Sequence, residues 1–580
     1  MTATVPGTAQ AAGTALAAGS ARAAAVARFE AALGPAADPG NPAGRAAVLA
    51  ADAAGHCAPG AIAAVRRAGL GAELVPTALG GRFADIPTLA AVLRSLYRRD
   101  PALGLGRALA GTMASISVWT AGSEAQRRRV AEVLLAGDTI ACAYHELAHG
   151  SDLRGNELLA RADGDGWRLH GGKEVVSNLA EAPLAVVFAH TPAAGHGGHS
   201  LFLLDRAAAD PATIEDLARY PSVGMRGLSL GGVRFDGTRL DRQALIGAEG
   251  QGADLALRAF QLTRLLVPAA TIGLLDTMLR EAHGALSRRT LYGSPATALG
   301  PVRSGLADAL ADLLIGDAFA GVAMRALHVD PGPASGYAAA VKAYVPRVLM
   351  SATDSLARLL GSQFFLTAGN PMVGKLQRDA RPSSFGHASR TACLLTLVGQ
   401  LRTVARRGWN AGTAEPFPAA VFDPAATFGP PELAAWRSTG DGRDPLLAGL
   451  RRDAATRQPT RQRELAAAEA DAAAEFTGLI GAVAELRPHE CSAAASTAAL
   501  DAAARWAALA ARAAVLGLWQ HGGPGTGGVP LAGLLHRLDV HAGRARGPMP
   551  EPAQAALLAL LGERVEQART LDWDAVPTDA

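Results

Sequence analysis

Along most of this chain apolar side chains recur at intervals of three and four, the spacing that lines one face of a helix, and the pattern breaks over one central stretch. From about residue 21 to 137 the helical period holds, as in Ile86, Leu89, Val92, Leu93 and Leu96, with Gly and Pro at the joints. Between residues 138 and 250 it gives way to short apolar or alternating runs at 140–144, 157–162, 167–170, 184–189, 200–204 and 233–235. Turn formers such as Asp163-Gly164-Asp165-Gly166 separate the runs, and together they predict a compact β domain.

Beyond Gly252 the helical period returns at 253–286, 302–327, 336–360 and 388–406, enough for an antiparallel four-helix arrangement over 251–409. Near Asn410 the composition shifts to Pro, Gly and Ala, as a linker would. Further helical stretches at 464–486, 493–519 and 553–571 make 410–580 a linker followed by a helical extension. Residues 1–20 read as a disordered tail or a frayed helix. The expected fold is mainly α with a central β domain, built from helical, strand and helical units in series.

Composition narrows the function classes. A chain of 580 residues exceeds one ordinary core, so two to four packed units are expected. A formal net charge of +3 leaves no basic footprint for nucleic acid. No uncharged apolar run reaches membrane-spanning length, and the N-terminal residues lack the pattern of a secretory signal, so no membrane association is expected. Cys57, Cys142, Cys393 and Cys491 lie far apart, in neither a zinc spacing nor a disulfide framework, which fits a reducing cytoplasm. The charges of Glu124, Arg127, Arg128 and Arg129 read as the solvated face of a helix.

His145-Glu146-Leu147-Ala148-His149 spells H-E-x-x-H, which on a helix would set two imidazoles on one face for zinc. The residues before it read as a strand and Gly150-Ser151-Asp152 would break a helix, so no metal is expected there. The same residues carry a different likeness. Segments 122–152 and 224–252, in this order and at about this spacing, resemble signature segments of the acyl-CoA dehydrogenase and acyl-CoA oxidase superfamily.

That resemblance implies a helical N-terminal domain, a β-barrel-like middle domain and a four-helix-bundle domain, with the extension resembling that of the oxidases. His145 to Asp152 is similar to the family's T-E-[PL]-x-x-G-S-[DN] segment, which edges the flavin and the acyl thioester. It implies His145 at FAD, in place of a Thr, and Ser151 at the substrate. Gly171 to Asn178 is similar to G-x-K-x-[WYF]-I-[TS]-N, with Ser177 as the flavin-facing hydroxyl and Val175 where the family has an aromatic. Arg289-Thr290-Leu291-Tyr292-Gly293 matches R-x-x-[FY]-G, whose Arg reaches the FAD pyrophosphate of a neighbouring subunit. This implies a homodimer or homotetramer with FAD at the subunit interface. Residues 358–365 are similar to Q-x-x-G-G-x-G-[YF], of whose glycines only Gly361 is kept. Arg264 resembles a family Arg near the substrate and equally suits a surface ion pair.

The resemblance departs most where catalysis needs a base. Most of the family carries a Glu in R-D-A-x5-[YF]-E-G; here Arg378-Asp379-Ala380 leads through Phe385-Gly386-His387 to Ser389, a further residue on the cofactor side. Glu is replaced by Gly386 or His387, and no Asp or Glu occurs between Asp379 and Glu415. The alternative Glu of some relatives is Thr263. His387 is the candidate to accept the α-proton or to orient the thioester, since imidazole titrates in the neutral range; an ordinary loop histidine is the other reading.

The activity implied is FAD-dependent α,β-desaturation of an acyl thioester, on CoA or a carrier protein, with hydride transfer to flavin as in fatty acid metabolism. Electrons would then pass to a partner protein or to oxygen. Two other readings stay open. One is a fold that has lost its base and keeps a non-redox or binding role; the other is an oxygen-using oxidase or monooxygenase of the same fold.

Overall fold

The computed structural model describes residues 8–150, 152–192, 198–366, 369–410, 414–455, 463–522 and 528–579, with side chains from residue 21 onward. Helices come first. Thr8–Leu33 is helical, so residues 8–20 continue a helix rather than form a tail, and Arg45–Ala54, Pro59–Arg67, Ile86–Arg99, Ala110–Ala121 and Glu124–Leu135 follow.

The Ile86–Arg99 helix starts where Asp85 accepts from Thr88 N at 2.6 Å and Pro87 fits the first turn. Ile86, Leu89, Val92, Leu93 and Leu96 are all buried, as their spacing predicts, but so are Arg94, Arg98 and Arg99. The helix is enclosed on every side. One side is Gly252–Arg288, which approaches so closely at Gly273 that a Cβ there would stand 2.3 Å from the Arg94 carbonyl oxygen.

His328 buttresses the same helix end. Its Nε2 accepts the Ile86 N–H at 3.1 Å, so that nitrogen carries no proton, and its ring stacks on Phe428. Burial pushes its pKa down to about 4 from 6.5, against the pull of Asp85. The unfolded chain therefore binds this proton before the folded one does, and stability should fall as pH drops from about 6.5 toward 4. Urea unfolding at about pH 7 and about pH 5 checks it; the loss should be smaller in His328→Gln, and an equal loss would place the acid sensitivity elsewhere.

The central unit is one sheet of eight strands: β1 Ile140–Ala143, β2 Leu159–Asp163, β3 Gly166–Ser177, β4 Leu184–His190, β5 His199–Asp205, β6 Ile214–Leu217, β7 Leu230–Asp241 and β8 Leu245–Ile246. Their order is β6-β7-β3-β2-β4-β5-β8, with β1 parallel to β4. β3 and β7 run far beyond the short runs that the sequence predicts, and β6 and β8 were not expected. The outward positions explain this: along β7, Arg234, Asp236 and Arg239 alternate with buried Val233, Phe235 and Leu240. Gly237 among them reads as a turn in one dimension.

Gly252–Arg288, Gly300–Val329, Ala334–Leu360 and Arg390–Val404 form the second helical layer, near the expected bounds. By length and composition the first could cross a membrane, but its most apolar window is fully buried inside the protein. The extension contributes Pro445–Ala455, Arg463–Ala484, Thr497–His521, Leu531–His541 and Glu551–Glu566; the first and fourth were not expected. It is fastened at Asp444, which accepts from Tyr337 Oη at 2.7 Å, Trp409 Nε1 at 3.0 Å and Trp506 Nε1 at 2.9 Å.

Past residue 566 the helix expected to reach 571 ends, and the chain enters the core. Leu571 N donates to Asp276 at 2.9 Å, Trp573 N to Asp317 at 2.8 Å and Trp573 Nε1 to the Leu314 carbonyl at 2.8 Å. Arg94 bonds Asp317 and lies 3.2 Å from Asp572, every one of the three buried. Ala36 N donates to the Asp579 carbonyl at 3.2 Å, which closes the N-terminal helices onto the same strap.

Candidate active site

The site assembles between the rim of the sheet and the second helical layer. Residues 144–150 leave β1 as extended chain and turn, so His145 and His149 do not share a helix face. Among the described residues no group of three potential metal ligands occurs. Glu146 turns inward instead: its carboxylate accepts from Glu157 N at 2.8 Å, Leu158 N at 3.1 Å and Lys173 Nζ at 2.6 Å.

Lys173 is wholly buried in β3, also bonds Asn156, and lies 5.7 Å from the centre of the Phe188 ring. Burial lowers its pKa to about 8, against the pull of Glu146. Burial also opposes ionisation of Glu146, yet the Lys173 hydrogen bond and the two backbone N–H groups hold that carboxyl below its ordinary range.

Just beyond Lys173 the β3–β7 register shifts, and Val175 takes φ 54°, a strained value for a β-branched residue. The bulge swings the Glu174 backbone to the 145–150 loop. His145 Nδ1 donates to the Glu174 carbonyl, and Glu174 N returns a bond to the His145 carbonyl, both at 3.0 Å. Ser177 ends the strand half-buried, and buried Asn178 bonds the Gly106 carbonyl. His145 and Ser177 thus lie on two segments fastened to each other. Ser151 lies outside the described residues.

On the helical side, the Gly252–Arg288 helix brings Phe260 against Tyr144 and carries Arg264 one turn on. Arg264 is 6% exposed, with its guanidinium 5.8 Å from the Phe260 ring centre and its Nε unpartnered. It does not form the surface ion pair that the sequence allowed. Lys342, buried on the Ala334–Leu360 helix, donates to the Ser383 carbonyl. Sequence reasoning missed it. Its signal was a single charge inside the otherwise apolar run 338–345.

His387 sits in the loop after Ser383 with φ 58°, followed by Ala388 at φ 113°, two strained residues in succession. Its Nδ1 is buried without a partner. Burial first and then Lys342 push its pKa down to about 3, so the ring is neutral and draws a proton weakly. Ser389 accepts from Ala392 N at 3.2 Å and caps the Arg390–Val404 helix.

Gly361 ends the Ala334–Leu360 helix at φ 60°, ψ −129°, a backbone shape suited to glycine, and nothing lies within 4 Å of where a Cβ would stand. Arg289 reaches the adjacent Leu360 carbonyl at 3.5 Å, which leaves most of its guanidinium unengaged. Tyr292 and Gly293, at φ 53° and 76°, form the turn of a small hairpin on which Tyr292 is 94% exposed. Of the motif residues, His145 and Ser177 thus lie at the rim of the sheet, Arg289, Tyr292 and Gly361 around one helix end and its hairpin, and Arg264 and His387 on the helical side with Lys342. A cavity of about 610 Å³, lined by none of these, lies between Tyr344, Arg347 and Arg390 of the bundle and Arg505, Arg512 and Asp539 of the extension.

Comparison with known proteins agrees with this architecture. Residues 44–138 match the acyl-CoA dehydrogenase N-terminal domain, 141–238 its middle domain and 250–387 its C-terminal domain. Human mitochondrial short-chain specific acyl-CoA dehydrogenase is 29% identical over 245 residues, 41% of this chain and 58% of that protein, so the chain spans little over half of that relative's length. A probable acyl-CoA dehydrogenase of Mycobacterium tuberculosis is 28% identical over 327 residues, 55% of this chain and 82% of that one.

Among solved structures, the Bacillus anthracis acyl-CoA dehydrogenase complexed with FAD superposes with TM-score 0.67 at 16% identity, covering 87% of this chain and 89% of that one. Butyryl-CoA dehydrogenase from Megasphaera elsdenii gives TM-score 0.58 at 19% identity over 64% and 96%. At these identities the structures establish the fold. With its N-terminal, middle and C-terminal domains matched in order, the chain belongs to the acyl-CoA dehydrogenase family.

Proposed function

We propose that this protein is a FAD-dependent oxidoreductase that desaturates an acyl thioester. The observation that carries the reading is the mutual fastening of the 145–150 loop and the 173–178 bulge opposite Phe260 and Arg264, in a chain of this family. FAD fits the donor set: Ser177, Ser389 and His145 supply polar contacts, Gly361 an open backbone approach, and Arg289 with Tyr292 a free guanidinium and phenol. When bound, FAD supplies the acceptor for a hydride from the β-carbon. The chain's own part is to hold the thioester with Arg264 and Ser151, and to take the α-proton on the neutral imidazole of His387, whose Nδ1 is unpartnered.

A visible absorption spectrum before and after denaturation tests this. About one flavin per chain, bleached by an acyl thioester, is the expected result. A colourless protein that refuses added FAD would leave the binding role, which the missing carboxylate and weakly basic His387 favour. Oxygen uptake with and without an artificial acceptor distinguishes an oxidase from an enzyme that needs an electron-transfer partner.

The same reading makes the protein a homodimer or homotetramer. Tyr292, Phe365, Leu366 and Phe385 are exposed at 94%, 85%, 57% and 62%, an apolar display that a partner subunit would cover. Light scattering should give at least twice the chain mass. Phe365→Asp should shift it toward one chain and lower the flavin content together; a monomeric wild type would remove the shared-cofactor reading.

A further inference from the structure

Where the extension meets the bundle, the cavity of about 610 Å³ is lined by arginines from three helices: Arg347 of Ala334–Leu360, Arg390 of Arg390–Val404 and Arg505 of Thr497–His521. Arg347 lies 5.4 Å from the centre of the Tyr344 ring and donates to the His541 carbonyl at 3.3 Å. The Arg390 and Arg505 side chains bond no described residue, and no described carboxylate pairs with any of the three. The undescribed positions hold no Asp or Glu that could. Two further arginines at the same cavity are already answered, Arg512 by Asp539 at 2.7 Å and Arg544 by Asp539 at 3.0 Å and by Glu475.

A surface arginine without an acid is ordinary, and Arg67 and Arg154, both exposed, are such. Convergence sets these three apart. Partial burial and then Arg347 lower the Arg390 pKa, as two guanidiniums facing one space would. An anion between them relieves that repulsion, and the planar fork of a guanidinium matches a phosphate with two bonds at once.

The rest of the lining narrows the ligand. Ala504, Ala507 and Ala508 follow one another on one face of their helix and, with Ala343 and Leu394, form an apolar strip of mostly small side chains. Asp471 and Asp501, both exposed, also line the cavity, bond no described cation and can accept from hydroxyl groups. A fatty acid would set its chain against these two carboxylates, and a bare phosphate or sugar phosphate would leave the apolar strip uncovered. We infer that this cavity binds a nucleotide: Arg347, Arg390 and Arg505 hold its phosphates, the alanine strip takes its base, and Asp471 and Asp501 take its sugar hydroxyls. The volume falls within the range of about 300–1,000 Å³ usual for pockets that hold molecules of this size. Because Arg347 and Arg390 belong to the bundle and Arg505 to the extension, the nucleotide would bridge the two units.

Calorimetric titration of the purified protein with ADP tests this, with FAD in excess throughout so that a flavin site, where ADP could otherwise lodge, is filled. ADP should bind at least about tenfold more tightly than inorganic phosphate or adenosine. Arg505→Gln and, separately, Arg347→Gln should each weaken ADP at least about tenfold, whereas Arg67→Gln, the same loss of charge at an arginine that does not line the cavity, should leave its affinity within about twofold. The urea midpoint of Arg505→Gln should match the wild type, since that side chain bonds no described residue, so its weaker binding reports the cavity and not the fold. ADP that does not bind beside FAD, binds no better than phosphate or adenosine, or keeps its affinity in both cavity variants would overturn the inference.

Discussion

Arg94→Met should lose about 3–5 kcal/mol of unfolding free energy, since it strips the cation from two buried carboxylates at once. Asp317 and Asp572 have no water to fall back on, and burial already holds the Asp317 carboxyl up at about 6 with Arg94 beside it. The sign with pH follows. A carboxyl raised in the folded state takes its proton there first, so the deficit of the variant should shrink as pH falls through about 6. Urea unfolding of both proteins across that range is the measurement. A deficit below about 1 kcal/mol, or one that grows on acidification, would mean that Arg94 is not what balances the two acids.

Lys173→Met should cost a similar amount, about 3–5 kcal/mol, and should also release the loop that carries His145. Glu146 would keep its two backbone donors but lose the ammonium 2.6 Å away, in a site that burial makes hostile to charge. Adding Glu146→Gln should recover much of the stability, because the uncompensated charge is then gone. If the reading of a flavin site holds, Lys173→Met should also retain less FAD than the wild type while the double variant regains part of it. A double variant no better than Lys173→Met would show packing, not charge, to be what the lysine supplies.

How far the sequence discloses this molecule depends on the distance over which each feature is written. Helices are local, and the spacing of Ile86, Leu89, Val92, Leu93 and Leu96 is enough to place one. β7 is not, because Arg234, Asp236 and Gly237 acquire their meaning only when β3 and β6 lie alongside. The site divides the same way. The segments holding His145, Ser177, Arg289 and Gly361 are legible as short motifs. That Glu146 meets Lys173, 27 positions away, is settled by a bulge no local pattern announces. Lys342 is the extreme case: its isolation among alanines and valines was visible, but the lack of an acid near it is a property of the whole fold.

The strap formed by residues 570–579 has a consequence for biosynthesis. Arg94 and Asp572 are 478 positions apart, and Glu30 and Thr578 are 548 apart, so both buried contacts join helices to a segment made much later. A ribosome adding roughly 5–20 residues per second would keep those helices waiting for about half a minute or more before their counter-charges exist. During that interval the nascent chain exposes an arginine-bearing, otherwise apolar helix. Chaperone occupancy should therefore concentrate on 86–99 until synthesis passes residue 574, and the cooperative fold should arrive in one late step.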